Sequence, residues 1–414
     1  MAAARGEVPD SRLVGPALLA AAVLAPFLGL FAPLAIAVLF VILGAVVLFA
    51  AWRQGMCRPW GSETAVLAAL CAWALATAPW AVDPSQAVAA TGKLAGTAVV
   101  GLLFVRLASR QPPEVLPRIA TWVLAAVVAL MAVEYLSGGF LSHLISLLLG
   151  EDDPVGKSRL NRGCSVLAVL LWPLAALVHG RWGPRRAVPL VAAAVAALLV
   201  ADNSSAKAAA LAGAATALAA IRFPRASSWA LRLGMVVLLA FAPLMARHLP
   251  DPQWSFVEWR ELPTSMHHRL TIWRFTASKV AEKPIVGWGM DAARALPGGK
   301  DTVTVVREDD SPARLPVEIY EQQLPLHPHS AVLQVWLELG AVGILLAGAL
   351  LWRVIGRLGA RGGVPQAAYA MGAVAAGAVV ANMSFGLWQS WWQSTLWITA
   401  ILCAASLAPR WSAR

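Results

Sequence analysis

Charge is scarce in this chain of 414 residues: Asp, Glu, Lys and Arg together make up 13%, against 59% hydrophobic residues. The apolar residues fall in runs of about twenty, the length a helix needs to cross the hydrocarbon core, which excludes an ordinary soluble domain. Cysteine is also rare. Cys57, Cys71, Cys164 and Cys403 lie in or beside apolar runs without metal-ligand spacing, so they read as packing residues and imply neither a metal site nor a disulfide framework. Phosphate-binding P-loop, dinucleotide fingerprint and Gly-x-Ser-x-Gly elbow are all missing, which weighs against ATP-driven transport and serine-hydrolase chemistry. No internal repeat or low-complexity tail is found. The acidic run Glu308-Asp309-Asp310 lacks the spacing of a calcium loop and reads as solvated.

What is present is an all-α, polytopic transmembrane helical bundle. About twelve apolar runs are expected to be spans, the first near residues 13–31 and the last near 390–408. The first follows Arg5 and Arg12 and is expected to be a retained helix rather than a signal peptide. With the N-terminus inside, the short cytoplasmic loops collect Arg53 and Arg58; Arg106, Arg110 and Arg118; Arg181, Arg185 and Arg186; Arg222, Arg225 and Arg232; and Arg353, Arg357 and Arg361. The opposite loops hold Asp83, Glu151, Asp152, Asp153 and Asp202. This asymmetry accounts for the net charge of +11 as topology, so no nucleic-acid partner is needed. Membrane lipids are the expected surroundings, and both termini are expected to be cytoplasmic, which in a bacterium means an inner membrane with the opposite face periplasmic.

Three segments follow: spans 1–9 over residues 1–246, a large periplasmic loop over 247–328, and spans 10–12 over 329–414. Within the loop, Leu270, Trp273, Ala277, Val280 and Ala281 recur at helical steps, predicting a helix between Pro263 and Val286. Pro284 and Gly287-Trp-Gly289 end it, and Pro297-Gly-Gly and Arg307-Glu-Asp-Asp-Ser-Pro read as loop. The nineteen tryptophans, Trp388, Trp391 and Trp392 among them, read mostly as interfacial anchors.

The loop ends in His327-Pro-His329, which sets two imidazoles at the wet mouth of the tenth span. Histidine titrates nearest neutral pH, so one of them can serve as a general base toward a hydroxyl; the alternative is a capping histidine without chemistry. Pro328 is expected to turn His327 away from its neighbour, and His329 to stand where the helix begins. The predicted loop helix carries Arg269 and Arg274 after His267 and His268. Arg269 and Trp273 lie one turn apart on one face, with Arg274 farther round. Guanidinium matches phosphate oxygens with planar paired donors, whereas the alternative is a solvated face with ion pairs such as Lys279 or Lys283 with Glu282. Lys207 at the start of the eighth span and Arg162 at the start of the sixth bring further cations to the same level. Lys93 and Glu338, both inside spans, read as a structural pair.

Lys283-Pro-Ile-Val-Gly-Trp-Gly289, followed by His327-Pro-His-Ser-Ala-Val-Leu-Gln-Val-Trp-Leu-Glu-Leu-Gly-Ala-Val-Gly343, resembles the O-antigen ligase and polymerase-like superfamily of bacterial inner-membrane glycosyltransferases. Asn161-Arg-Gly163 and Phe385-Gly-Leu-Trp-Gln-Ser-Trp-Trp392 look like further pieces of that pattern. The resemblance implies an inverting transfer, without metal or cofactor, of a glycan from a polyprenyl-diphosphate-linked donor to the hydroxyl of a lipid or glycan acceptor such as lipid A-core. It carries the base onto His329 and a diphosphate-holding arginine onto Arg269, with His327, Arg274, Lys207, Arg162 and Trp273 as substrate-binding candidates. A polymerase and a lipid-linked glycan transporter are the rival readings. This chain has Ser330 where relatives often have Asn, and Lys207 where they often have Arg.

Overall fold

The computed structural model describes residues 11–55, 61–110, 112–150, 160–259, 261–308 and 315–409. Cys57, Arg58, Glu151, Asp152, Asp153, Asp309 and Asp310 lie outside them. The fold is almost entirely helical: α1 (Ser11–Phe31), α2 (Ala35–Arg53), α3 (Ser62–Ala76), α4 (Pro84–Ala108), α5 (Leu116–Leu136), α6 (Phe140–Leu149), α7 (Leu160–Trp182), α8 (Pro184–Val200), α9 (Ser204–Arg222), α10 (Pro224–Arg247), α11 (Pro252–Glu258), α12 (Thr264–Glu282), α13 (Ala331–Ala360), α14 (Pro365–Met383) and α15 (Ser390–Ser406). Each of the twelve expected spans falls on one of these helices. Among the described residues, ten helical segments are long and apolar enough to cross a membrane, while α8 and α15, at 17 residues each, are shorter. The protein is therefore a multi-pass membrane protein.

Helix α7 forms the axis of the bundle, with every residue from Gly163 to Val178 buried. Small residues let its neighbours approach: a side chain at Gly213 on α9 would run into the Trp172 ring of α7, and one at Gly372 on α14 would meet the Gly213 carbonyl. Lipid chains are as apolar as leucine and drive no hydrophobic association, so such close backbone packing has to hold spans together. Helix α10 lies at the rim and exposes Leu233, Val236, Val237, Phe241, Leu244 and Met245. The tryptophans are expected to be mostly interfacial anchors; of these, Trp229 and Trp352 flank Arg232, with its guanidinium 5.1 and 4.7 Å from their rings. Trp391 and Trp392 depart from that expectation. They are 6% and 0% exposed, because Phe385 packs against both rings and draws them into the bundle.

The segment between α10 and α13 contains α11, α12 and an antiparallel hairpin of β1 (Thr302–Glu308) and β2 (Pro316–Gln322). The hairpin corrects the loop expected at Arg307-Glu308: Val303, Val305 and Val306 pair with Glu321, Ile319 and Glu318, and the alternating, β-branched Thr302-Val-Thr-Val305 is the signal for it.

Helix α13 breaks at Gly340, whose φ of 63° and ψ of −162° leave the helical region. The break exposes backbone groups that the Lys283–Gly289 turn satisfies. Trp288 N–H donates to Leu337 O (2.8 Å), Gly289 N–H to Glu338 O (2.9 Å) and Ala341 N–H to Pro284 O (2.9 Å). Trp73 Nε1 donates to Leu339 O at 2.9 Å. Gly287 and Gly340 have positive φ, and a Cβ on either would collide with the opposing backbone, so both places require glycine. The two motifs far apart in sequence are one docking joint.

Candidate functional site: a histidine pair beside a buried arginine

Helix α13 begins at Ala331, two residues later than expected. Ser330 caps it, accepting the Leu333 N–H (3.3 Å) and donating to Asn382 Oδ1 (3.1 Å), and the same Asn382 oxygen accepts the Val332 N–H (3.1 Å). His329 is thereby left just outside the helix with φ of 52°, a left-handed conformation uncommon for a residue with a Cβ. Its neighbours fix that conformation. Trp273 Nε1 donates to Pro328 O (2.8 Å), and the His329 N–H donates to His327 Nδ1 (3.2 Å). Strain held in place by surrounding contacts is characteristic of functional positions.

The His329 side chain has one defined tautomer. Nδ1 lies 2.6 Å from the Ser384 carbonyl, which can only accept, so Nδ1 carries the proton and Nε2 keeps a lone pair. Burial lowers the His329 pKa from its ordinary 6.5, and Arg269 and His268 lower it further, against the raising effect of the Ser384 carbonyl. The ring is therefore a neutral base near pH 7. His327, more deeply buried, is pushed down to about 3 by burial first, then by His329 and Arg294. Its ring does not turn away as expected: the two imidazole centroids are 4.3 Å apart, because the left-handed turn at His329 folds the tripeptide back on itself.

Arg269 lies on α12, one turn from Trp273 as the periodicity predicts, and near enough for its charge to lower the His329 pKa. Its Nη1 contacts only Met266 Sδ at 3.3 Å, and its buried Nε has no hydrogen-bond partner. Burial lowers its pKa, though a guanidinium remains charged at neutral pH. A half-buried cation with an unsatisfied Nε is costly, and an anionic ligand would satisfy it.

The other candidates are distributed around this centre. Arg274 lies farther round α12, where its Nη1 donates to Leu249 O at 2.5 Å and ties the helix to the end of α10. Lys207 is on the first turns of α9, whose Ser205 hydroxyl meets the Ser384 hydroxyl at 2.6 Å, next to the carbonyl that orients His329. Asn203 caps α9 through Ala206 N–H (2.9 Å) and donates to Asn161 O (2.5 Å), which brings Arg162 at the start of α7 to the same end of the bundle. Arg162 lines a separate cleft on the His327 side.

Lys93 and Glu338 form no ion pair. Glu338 is wholly buried and accepts from the backbone N–H groups of Asp291 (3.0 Å) and Ala293 (3.4 Å), from Gln334 Nε2 (3.1 Å) and from Trp388 Nε1. The Gly340 break carries the loop into reach, and its N–H groups replace the lysine. Sequence reasoning also missed Asn382, Ser384 and Gln389, whose side chains or carbonyls position the histidines. The available signal was the polar Asn382-Met-Ser384 and Gln389 at the ends of two otherwise apolar helices.

Fold and site together define a multi-pass membrane protein with a histidine–arginine centre at one end of its bundle. Residues 189–348, which include both histidines, Arg269 and Lys207, match the family model described as O-antigen ligase. The chain is 25% identical over 278 residues to a Rickettsia conorii protein described as "putative polysaccharide ligase", covering 66% of this chain and 63% of that one. A Rickettsia prowazekii protein with the same description is 23% identical over 336 residues, 80% of this chain and 78% of the relative. For the Rickettsia bellii counterpart the figures are 26% over 279 residues, with coverage of 66% and 64%. The match thus spans just under two thirds of the R. conorii and R. bellii relatives. These comparisons support an O-antigen ligase-like family for the chain, as the motifs imply.

Proposed function

We propose that the protein is an inverting glycosyltransferase of the ligase type, working on the periplasmic face of a bacterial inner membrane. It moves a glycan from a polyprenyl-diphosphate carrier to a hydroxyl of lipid A-core or a similar acceptor. In this reading His329 Nε2 takes the proton from the acceptor hydroxyl as its oxygen attacks the anomeric carbon. The new C–O bond forms on the face opposite the breaking bond, and polyprenyl diphosphate leaves with the bonding electron pair. Arg269 meets the charge that develops on the departing oxygens, and Lys207 adds a second cation from α9. The leaving group is already a stable anion, so preorganised positive charge lowers the barrier more than covalent assistance would. His327 holds the His329 backbone N–H, while Trp273 anchors Pro328, so both act as positioning residues.

One observation carries this reading: an imidazole whose Nδ1 is committed to the Ser384 carbonyl feels the charge of a half-buried guanidinium whose Nε is unsatisfied. Product analysis of the protein in proteoliposomes tests it. Donor consumption with a new glycosidic bond to lipid A-core is expected. Lengthening of carrier-linked glycan would mean a polymerase, and movement of lipid without bond formation would exclude transfer. For orientation, a reporter active only in the periplasm and fused near Gly299 should be on, and one fused near Arg361 off.

A further inference from the structure

On the His327 side of the histidine pair lies a second cleft, of 340 Å³, between the start of α4, the start of α7, the loop after Gly289 and the start of α15. Lys93, Arg162 and Arg294 line it. Its one lining carboxylate, Asp291, is already engaged by Arg294 Nε at 3.1 Å and Gln86 Nε2 at 2.6 Å. Lys93 and Arg162 have no carboxylate partner among the described residues. Lys93 projects from a helix that otherwise reads as an apolar span, where an unpaired charge is expensive and marks an ion or substrate path. The cleft reaches the catalytic pair through Gln389, whose side-chain amide lies 3.3 Å from His327 Nε2. The buried ring of Trp391, held by its Nε1–H bond to Gln389 Oε1 (3.1 Å), forms part of the wall.

We infer that this cleft binds a phosphate group of the lipid acceptor. Three basic groups against one carboxylate leave an excess of about two positive charges, which matches a phosphate monoester at neutral pH better than a single carboxylate. Donor and acceptor are then recognised by different cations on two sides of one histidine pair: the diphosphate by Arg269 beside His329, the acceptor phosphate by Lys93, Arg162 and Arg294 beside His327. The separation keeps the two anionic lipids from competing for one site. This inference rests on the proposed transfer reaction only for the identity of the acceptor, so it is tested through binding rather than turnover.

The purified full chain in detergent is titrated with lipid A-core, with lipid A-core stripped of its phosphates, and with undecaprenyl diphosphate. Charge-assisted hydrogen bonds contribute about 1.5–3 kcal/mol each, so the wild type should prefer the phosphorylated acceptor by about tenfold or more. The Lys93→Gln/Arg162→Gln double variant should lose that preference and still bind undecaprenyl diphosphate within about twofold, because its Arg269 site is intact. Excess phosphatidylglycerol should not displace the acceptor; displacement would mean that the cleft holds ordinary membrane phosphate. Equal wild-type binding of the two acceptor forms, or no binding of either, overturns the assignment without reference to any variant. A double variant that retains the preference overturns it as well. A protein that binds both lipids as expected and forms no glycosidic bond would refute the transferase reading while supporting the subsite.

Discussion

Two histidine pairs lie in or at the end of the segment between α10 and α13, and they differ in what surrounds them. His267 stacks on Phe256 with ring centroids 4.1 Å apart and shares a 3.1 Å hydrogen bond with Ser255 Oγ, while His268 Nε2 bonds the Gln322 carbonyl at 2.9 Å. Both are engaged in joining α12 to α11 and to the hairpin. His329 likewise gives one ring nitrogen, Nδ1, to a hydrogen bond, with the Ser384 carbonyl. What sets it apart is a left-handed backbone that its neighbours enforce and the charge of Arg269, which lowers its pKa. The difference between the pairs is thus in backbone conformation and in the charge that reaches the ring, properties that arise from packing and not from residue type.

That contrast can be broken most severely at His329. His329→Ala should lower glycan transfer by about 10²–10⁴-fold with expression and membrane insertion unchanged, since a general base contributes on that scale. Equal activity in wild type and variant would make the two pairs equivalent. Arg269→Ala should reduce transfer by about 10²–10³-fold, the usual cost of removing a preorganised donor from a developing oxyanion. Arg269→Lys should recover little of it, because the planar paired donors are absent; full recovery would reduce Arg269 to a general positive charge. Trp273→Phe removes only the N–H donated to Pro328 O, and a loss of about tenfold is expected from one buried hydrogen bond. An unchanged rate would show that His329 keeps its geometry without that anchor. His268→Gln should be the mildest change, with transfer within about twofold of wild type, because an amide can replace the bond to Gln322 O and the ring touches no reacting atom. A severe loss there would place chemistry in the wrong pair.

Much of this arrangement was legible before any coordinates. Apolar runs of span length gave twelve helix positions, and the three- and four-residue recurrence of Leu270, Trp273 and Ala277 placed α12 and set Arg269 and Trp273 on one face. The hairpin was missed although Thr302-Val-Thr-Val305 alternates and is wholly β-branched; the strands are short, and each needs the other to form. The partner of Glu338 was missed as well. A carboxylate inside a span invites a lysine, yet the Gly340 break lets backbone N–H groups from a loop 45 residues or more away in sequence take that place. The mutual facing of His327 and His329 depended on a left-handed residue after proline, which no local rule predicts for histidine.

Whether neutral His329 takes the acceptor proton is decided by the pH dependence of kcat/KM for glycan transfer. Burial and the nearby Arg269 lower the His329 pKa, so the imidazole stays unprotonated, and the enzyme active, as pH falls below 6.5. Activity should then be lost as pH drops further through the depressed value, and moving the charge away in Arg269→Gln should shift that acid limb upward while lowering its plateau. An acid limb at or above 6.5, or one that persists unchanged in the residual activity of His329→Ala, would contradict the claim.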